Sequence, residues 1–228
     1  MIRPRWQALK PQHGLFSWRR WDQAIAVIAA VNLTWVAIDL TYIPLRNFWL
    51  QRNLYPVPSL PLVVPLPWLP DITPWLDPLK GIEPHRDTEA YLKAYTALDR
   101  ALQQNGPRTA ESNDLLQHQV VLTTALMDSN PFISSGQAGA LEKFKNRLRA
   151  RTGLESARES AKLLLNPEHL ERSPWSQERQ FWSQQILPLV ESNYWRSIDE
   201  NGRPSDLSWR IDTPFQLLFL LDILLRAW

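Results

Sequence analysis

Residues 24–43, AIAVIAAVNLTWVAIDLTYI, decide how this chain must fold. Only Asn32, Thr34, Asp39 and Thr41 interrupt the run. A helix rises about 1.5 Å per residue, so about 20 residues cover the roughly 30 Å hydrocarbon core of a bilayer. Arg3, Arg5, Lys10, Arg19 and Arg20 precede it, with no acid before Asp22, and only Arg46 and Arg52 follow closely. That asymmetry predicts a cytoplasmic N-terminus, with Trp18 and Trp21 at the inner interface and Trp49 near the outer one. A cleaved signal peptide and a buried soluble helix compete with a membrane span here. A signal peptide has a shorter charged leader and stops at a small-residue site, whereas this run continues past Ala29 and Ala30. The expectation is a leader over 1–22 and a transmembrane helix over 23–45. Asp39 is costly in hydrocarbon and must face protein, water or the outer headgroups.

Composition narrows the function classes. The 228 residues hold one sizeable domain besides membrane segments. A net charge of +2 gives no bulk argument for nucleic acid. Without cysteine there can be no disulfide, thiolate metal site or cysteine nucleophile. Twelve tryptophans suit membrane interfaces, where an apolar ring with one N–H donor is at home. Seven glycines against 19 prolines argue against phosphate-cradling loops and favour helices over a turn-rich sheet.

Between Tyr55 and Pro84 there are nine prolines, which forbid a helix and remove ladder donors. An extended, polyproline-like segment is expected across 46–85, too apolar at Leu60, Leu62, Val63, Val64, Leu66, Trp68 and Leu69 for a free linker. Helical periodicity then takes over. Tyr91, Leu92, Tyr95, Leu98 and Leu102 share one face, begun by Asp87 or Thr88 and stopped by Asn105-Gly106-Pro107. Further helices are expected around Leu115–Met127, Leu141–Leu148, up to Leu165, and from Ser176 through Leu187. Asn201-Gly202 predicts a hairpin with arms Tyr194–Ile198 and Leu207–Ile211. Residues 86–212 therefore read as an extracytoplasmic helical bundle.

Chemistry-bearing patterns are sparse. Glu83, His85, Asp87 and Glu89 could ligate a divalent metal, but their spacing does not put them on one helical face, and capping explains them more simply. His13, His118 and His169 lack paired-ligand spacing, and no nucleophile elbow, P-loop or dinucleotide fingerprint occurs. No catalytic residue, cofactor or metal is assigned, and an enzyme is not expected. Lys143, Lys145, Arg147, Arg149 and Arg151 form a basic stretch that is either a solvated helix face or a contact for acidic headgroups or an acidic partner.

The chain ends in FQLLFLLDILLRAW, residues 215–228. Asp212 caps and Pro214 opens this helix in expectation, leaving 15 residues from Pro214 to Trp228, about 22 Å, within the segment 213–228: a short or incomplete second membrane helix. Phe219, Asp222 and Arg226, spaced i, i+3 and i+7, share a face. This pattern resembles the second helix of voltage-sensor domains in cation channels. The resemblance implies Phe219 as an aromatic plug, Asp222 as counter-charge and Arg226 as inner anchor. With Asp39, these are the candidate intramembrane polar or charge-transfer residues. The arginine-rich sensor helix and the pore of that family are missing. GIEPHRDTEAYL, residues 81–92, and the chain around it resemble the start of an uncharacterised cyanobacterial membrane-protein family with a channel-like C-terminal half.

The expectation is thus an all-α integral membrane protein. It would be related to ion transport, as the N-terminal portion of a channel-like protein, or else be an accessory or assembly subunit docking on a larger, photosynthetic or other, membrane complex. A tethered hydrolase is a third class. Its expected partners are the lipid bilayer and other membrane subunits, with no nucleic acid.

Overall fold

The computed structural model describes residues 18–54, 64–66 and 68–227. Expectations for the leader, for most of the apolar proline stretch (55–63 and 67) and for Trp228 fall outside the described residues, as do the side chains of Trp18 and Asp87. Helices take up 74% and strands 6%, so the chain is all-α. It divides into two compact units: Met1–Ile43 with Leu207–Trp228, and Pro44–Asp206.

The first unit contains most of helix α1, Trp18–Gln51, which is longer at both ends than residues 23–45. Pro44 lies inside α1. It has no N–H to donate back to Leu40, and the boundary between the units falls at this proline. Mean hydropathy reaches 1.9 in α1, the one helix among the described residues that is long and apolar enough to cross a membrane. The unit is completed by the C-terminal helix, here α10, Trp209–Ala227. It begins before Pro214, which lies within it rather than at its first position, and Asp212 sits in its first turn. Nineteen residues make it about 28 Å long rather than 22 Å.

The second unit begins with the end of α1. After it come β1 (Asn53–Leu54) and β2 (Val64–Pro65), an antiparallel pair, then α2 (Thr73–Leu79) and β3 (Ile82–Pro84). Helix α2 corrects the expectation of an entirely extended proline segment. Pro74 occupies the first turn, where the missing N–H has no helical partner anyway, and Asp71 Oδ1 accepts from both the Thr73 N–H (3.0 Å) and the Thr73 hydroxyl (2.6 Å).

The bundle follows as α3 (Arg86–Asn105), α4 (Ala110–Ser129), α5 (Ala138–Thr152), α6 (Ala157–Leu164), α7 (Pro167–Arg172), α8 (Trp175–Phe181) and α9 (Leu187–Glu191). Local chemistry sets the ends. Thr109 Oγ1 accepts from the Ser112 N–H at the start of α4; Asn130 and Gly153, both left-handed, terminate α4 and α5. Asn130-Pro131 and Gly153 are the stops that the sequence predicts. Helix α7 is an addition to the predicted elements; Asn166 caps it and Pro167 opens it.

Tyr91, Leu98, Leu116, Phe144, Leu148 and Trp182 form the middle of one apolar core. Each is essentially inaccessible, and burying one such side chain stabilises by roughly 1.5–3 kcal/mol. Burial pushes the phenols of Tyr91 and Tyr95 up, so they stay neutral.

Strand β4, Tyr194–Arg196, corrects the predicted hairpin. It pairs with β3, not with residues 207–211, three of which already belong to the start of α10. Asn201-Gly202 does make a turn, closed by an Ile198–Pro204 bridge and an Asp199 N–H bond to the Arg203 carbonyl at 2.8 Å. The alternating pattern alone seeks the second arm next along the chain, whereas the true partner, β3, lies far earlier in the sequence.

Candidate functional site

The residues singled out in the sequence lie in the first unit, where α1 and α10 run antiparallel and meet through polar side chains. At one end, Arg226 donates through Nη2 to Asp22 Oδ1 (2.7 Å) and through Nε to Asp222 (2.9 Å). Asp222 Oδ1 also accepts from Trp21 Nε1 at 2.7 Å. One turn from the other end, Trp35 Nε1 donates to Asp212 Oδ1 at 2.9 Å. At the other end, Ser208 Oγ donates to Asp39 Oδ1 at 2.5 Å. Phe219 is half-buried on the same helix. Asp39, Asp222 and Arg226 are thus all drawn into bonds between the helices, at opposite ends of the pair.

The apolar side chains do the reverse. Leu33 is 70% exposed, Leu40 72%, Leu217 61% and Ile223 61%, and α10 has no buried residue. Exposed polar side chains such as Asp22, Gln23, Thr34, Thr41, Gln216 and Arg226 are few beside this apolar surface. A water-soluble helix pair keeps charges outside and leucines between; here the arrangement is inverted.

In the second unit, a buried guanidinium organises a cleft of about 250 Å³. Arg46 donates through Nε and Nη2 to both oxygens of Asp77 (2.8 and 2.6 Å), and through Nη1 to the Glu191 carbonyl (2.8 Å). It also lies 4.6 Å from the Tyr194 ring centre. The Glu191 carboxyl is pushed up to about 7, chiefly by burial, with Asp71 and Asp77 adding to the effect against Arg46. The sequence marks Arg46 only as a charge after the apolar run. Its partners are 31 and 145 residues away.

The described side chains of the acid–histidine cluster do not converge. Glu83 accepts from Ser197 Oγ, Glu89 pairs with Lys93, and the His85 N–H donates to the Asn193 carbonyl. No group of three potential metal ligands occurs among the described residues. His118 is exposed on α4, and His169 Nε2 lies 3.4 Å from buried Glu178. Along α5, Lys145 pairs with Glu142 and Arg151 with Glu178, so part of the basic stretch is tied down within the unit.

Comparison with known protein families, curated proteins and solved structures gave no match for this chain. Its class is therefore set by its own geometry: an all-α chain with one helix able to cross a membrane and a separate helical bundle.

Proposed function

We propose that the chain is an integral membrane protein in which α1 and α10 form an antiparallel transmembrane pair and residues 44–206 form a docking domain. It acts as an accessory or assembly subunit of a larger membrane complex. The observation that carries this is the inverted pair: apolar side chains outward on both helices, charged groups bonded to one another between them. In hydrocarbon each unsatisfied polar group is expensive, so internal pairing is what lipid demands. Charges that neutralise each other also favour a fixed structural role over carrying ions.

Both connections to residues 44–206 leave from the Asp39–Ser208 end of the pair. With the basic leader in the cytoplasm, this supports an extracytoplasmic location for residues 44–206. Resistance of the membrane-bound chain to alkaline extraction, and cleavage of residues 44–206 only by protease added outside, test the topology. A monomer freely dissolved without detergent overturns it. Purification in mild detergent tests the subunit role: a stoichiometric membrane partner is expected, and recovery of lone monomers counts against it.

The transport-related reading rests on one observation, the acid–base group Asp22, Asp222 and Arg226 in a membrane helix pair. Ion flux into liposomes that is abolished by Asp222→Asn would support it; liposomes as tight as protein-free ones would remove it.

A further inference from the structure

The second unit carries two adjoining clefts that neither the docking role nor the transport role uses. One, of about 370 Å³, is lined by Gln51, Arg52, Asn53, Arg147, Gln184 and Gln185, besides Pro65 and Leu66. The other, of about 330 Å³, shares Arg147, Gln184 and Gln185 and adds Arg151. These volumes fall in the range, about 300–1,000 Å³, of pockets that take small ligands. Among the described residues no carboxylate lines either cleft, every charged group lining them is a guanidinium, and the polar remainder is amide.

Arg52 and Arg147 have no carboxylate partner among the described residues, whereas Arg46, Arg108, Arg151, Arg158 and Arg179 each have one. The segments 1–17, 55–63, 67 and 228 contain no aspartate or glutamate, and Asp87 is the one acid whose side chain lies outside the described residues. Both guanidiniums are half-buried, so their charge is partly stripped of water.

Two backbone irregularities build the site. Pro188 has no N–H to give Gln184, and its ring crowds that carbonyl. The helix therefore widens over Trp182–Ile186, where the Leu187 N–H reaches back five residues to the Trp182 carbonyl. Gln184 and Gln185 lie in this wide turn, a feature common at functional sites. Across the cleft, Arg52 holds a left-handed backbone at φ +51°, pinned by its N–H to the Phe48 carbonyl (2.6 Å) and by the Leu66 N–H to its own carbonyl (2.8 Å). Left-handed arginine is unfavourable by itself and is kept where surrounding structure enforces it.

We infer that this cleft binds a phosphate ester carrying a neighbouring hydroxyl. Arg52 and Arg147 hold the phosphate oxygens, the amides of Gln184 and Gln185 donate to it, and Gln51 takes the hydroxyl. Guanidiniums and amide N–H groups are all donors, which suits an acceptor-rich oxyanion. Gln51 Oε1 supplies the complement: it is a buried acceptor with no hydrogen-bond partner among the described residues. A bare anion leaves that acceptor unused; a hydroxyl beside the phosphate satisfies it. The same chemistry occurs in a soluble glycerol phosphate and in a phosphatidylglycerol headgroup.

Calorimetric titration of the full chain in phosphate-free non-ionic detergent, at low ionic strength, separates the alternatives. Glycerol phosphate is expected to bind, inorganic phosphate to bind more weakly, and glycerol to give no heat. Arg147→Gln and Arg52→Gln should each weaken glycerol phosphate at least tenfold, with far-ultraviolet circular dichroism unchanged, while Lys93→Gln leaves it unaltered. Gln51→Leu should bring glycerol phosphate down to the affinity of inorganic phosphate. Native mass spectrometry with phosphatidylglycerol and phosphatidylcholine then identifies the source. A phosphatidylglycerol adduct lost in Arg147→Gln assigns a lipid headgroup, and binding of glycerol phosphate without an adduct assigns a soluble ester. Affinity unchanged in both arginine variants, or no binding of either phosphate probe and no adduct, overturns the proposal.

Discussion

The indole N–H of Trp21 donates to the carboxylate of Asp222 at 2.7 Å, joining residues 201 positions apart near the two ends of the chain. Indole has one donor and no acceptor, so the bond has one polarity only. Arg226 holds the same carboxylate from its own helix, one turn on. Asp222→Asn keeps the shape and removes the charge. The Trp21 indole proton resonance should then move upfield in the spectrum of the detergent-solubilised chain, and Trp21→Phe should lower the melting midpoint by on the order of a few degrees. Combining the two should cost less than the sum, since both remove one interaction. Strict additivity would dissociate Trp21 from Asp222.

Arg46 is the strongest single clasp in the bundle unit. Its side chain is 6% exposed and that of Asp77 20%, with two parallel bonds between them. Arg46→Ala leaves Asp77 without its cation and the Glu191 carbonyl without a donor. A loss of about 3–5 kcal/mol is expected, read from urea unfolding of the full chain in mild detergent. Replacing both members, Arg46→Met with Asp77→Leu, should recover much of it, because the penalty lies in the orphaned charge.

Glu191 gives stability a pH signature. Its folded pKa, about 7, lies above its unfolded value, so between the two the folded state holds more protons. That stabilising contribution is complete below about pH 4.3, the ordinary value for glutamate, and fades as pH rises through about 7. Glu178 slopes the other way. Burial raises its pKa, but hydrogen bonds from Arg151 and Ser173 outweigh burial and hold it below the usual range, so its contribution is lost on acidification. Comparing wild type with Glu191→Gln isolates the first group. The variant should lose the fall in stability between pH 5 and 7.5; an identical profile would discharge Glu191 from the role.

Gly81 is the glycine that tolerates least. It has φ +60°, and a Cβ there would stand 2.9 Å from Ser205 Cβ and 3.1 Å from the Ser205 carbonyl oxygen. Gly81→Ala should cost about 1–3 kcal/mol and disturb the β3–β4 pairing beside it. At Gly106, φ is +73° but nothing lies within 4 Å, so Gly106→Ala should cost only the conformational share, about 1–2 kcal/mol. Thermal unfolding of both variants distinguishes clash from backbone strain.

What the sequence determined by itself is local. The apolar run from Ala24 to Ile43 makes a helix because it holds neither glycine nor proline and its threonines bond back within the helix, Thr34 to the Ala30 carbonyl and Thr41 to that of Ala37; Asn105-Gly106, Asn130-Pro131 and Gly153 end helices because they favour a left-handed backbone. The spacing of Tyr91, Tyr95, Leu98 and Leu102 likewise announces one core-facing side. Two further signals are local and legible: Pro74 as a helix opener, and Pro188, four residues after Gln184, as the cause of the wide turn. The partnerships are not local. Trp21 with Asp222, Asp39 with Ser208, and Arg46 with Asp77 depend on which elements come to lie side by side. The same holds for Arg52 and Arg147, whose lack of acids emerges only when the surrounding side chains are placed. Backbone preference acts over a few residues and is written in the chain. Charge pairing acts through space, so only the tertiary structure decides it.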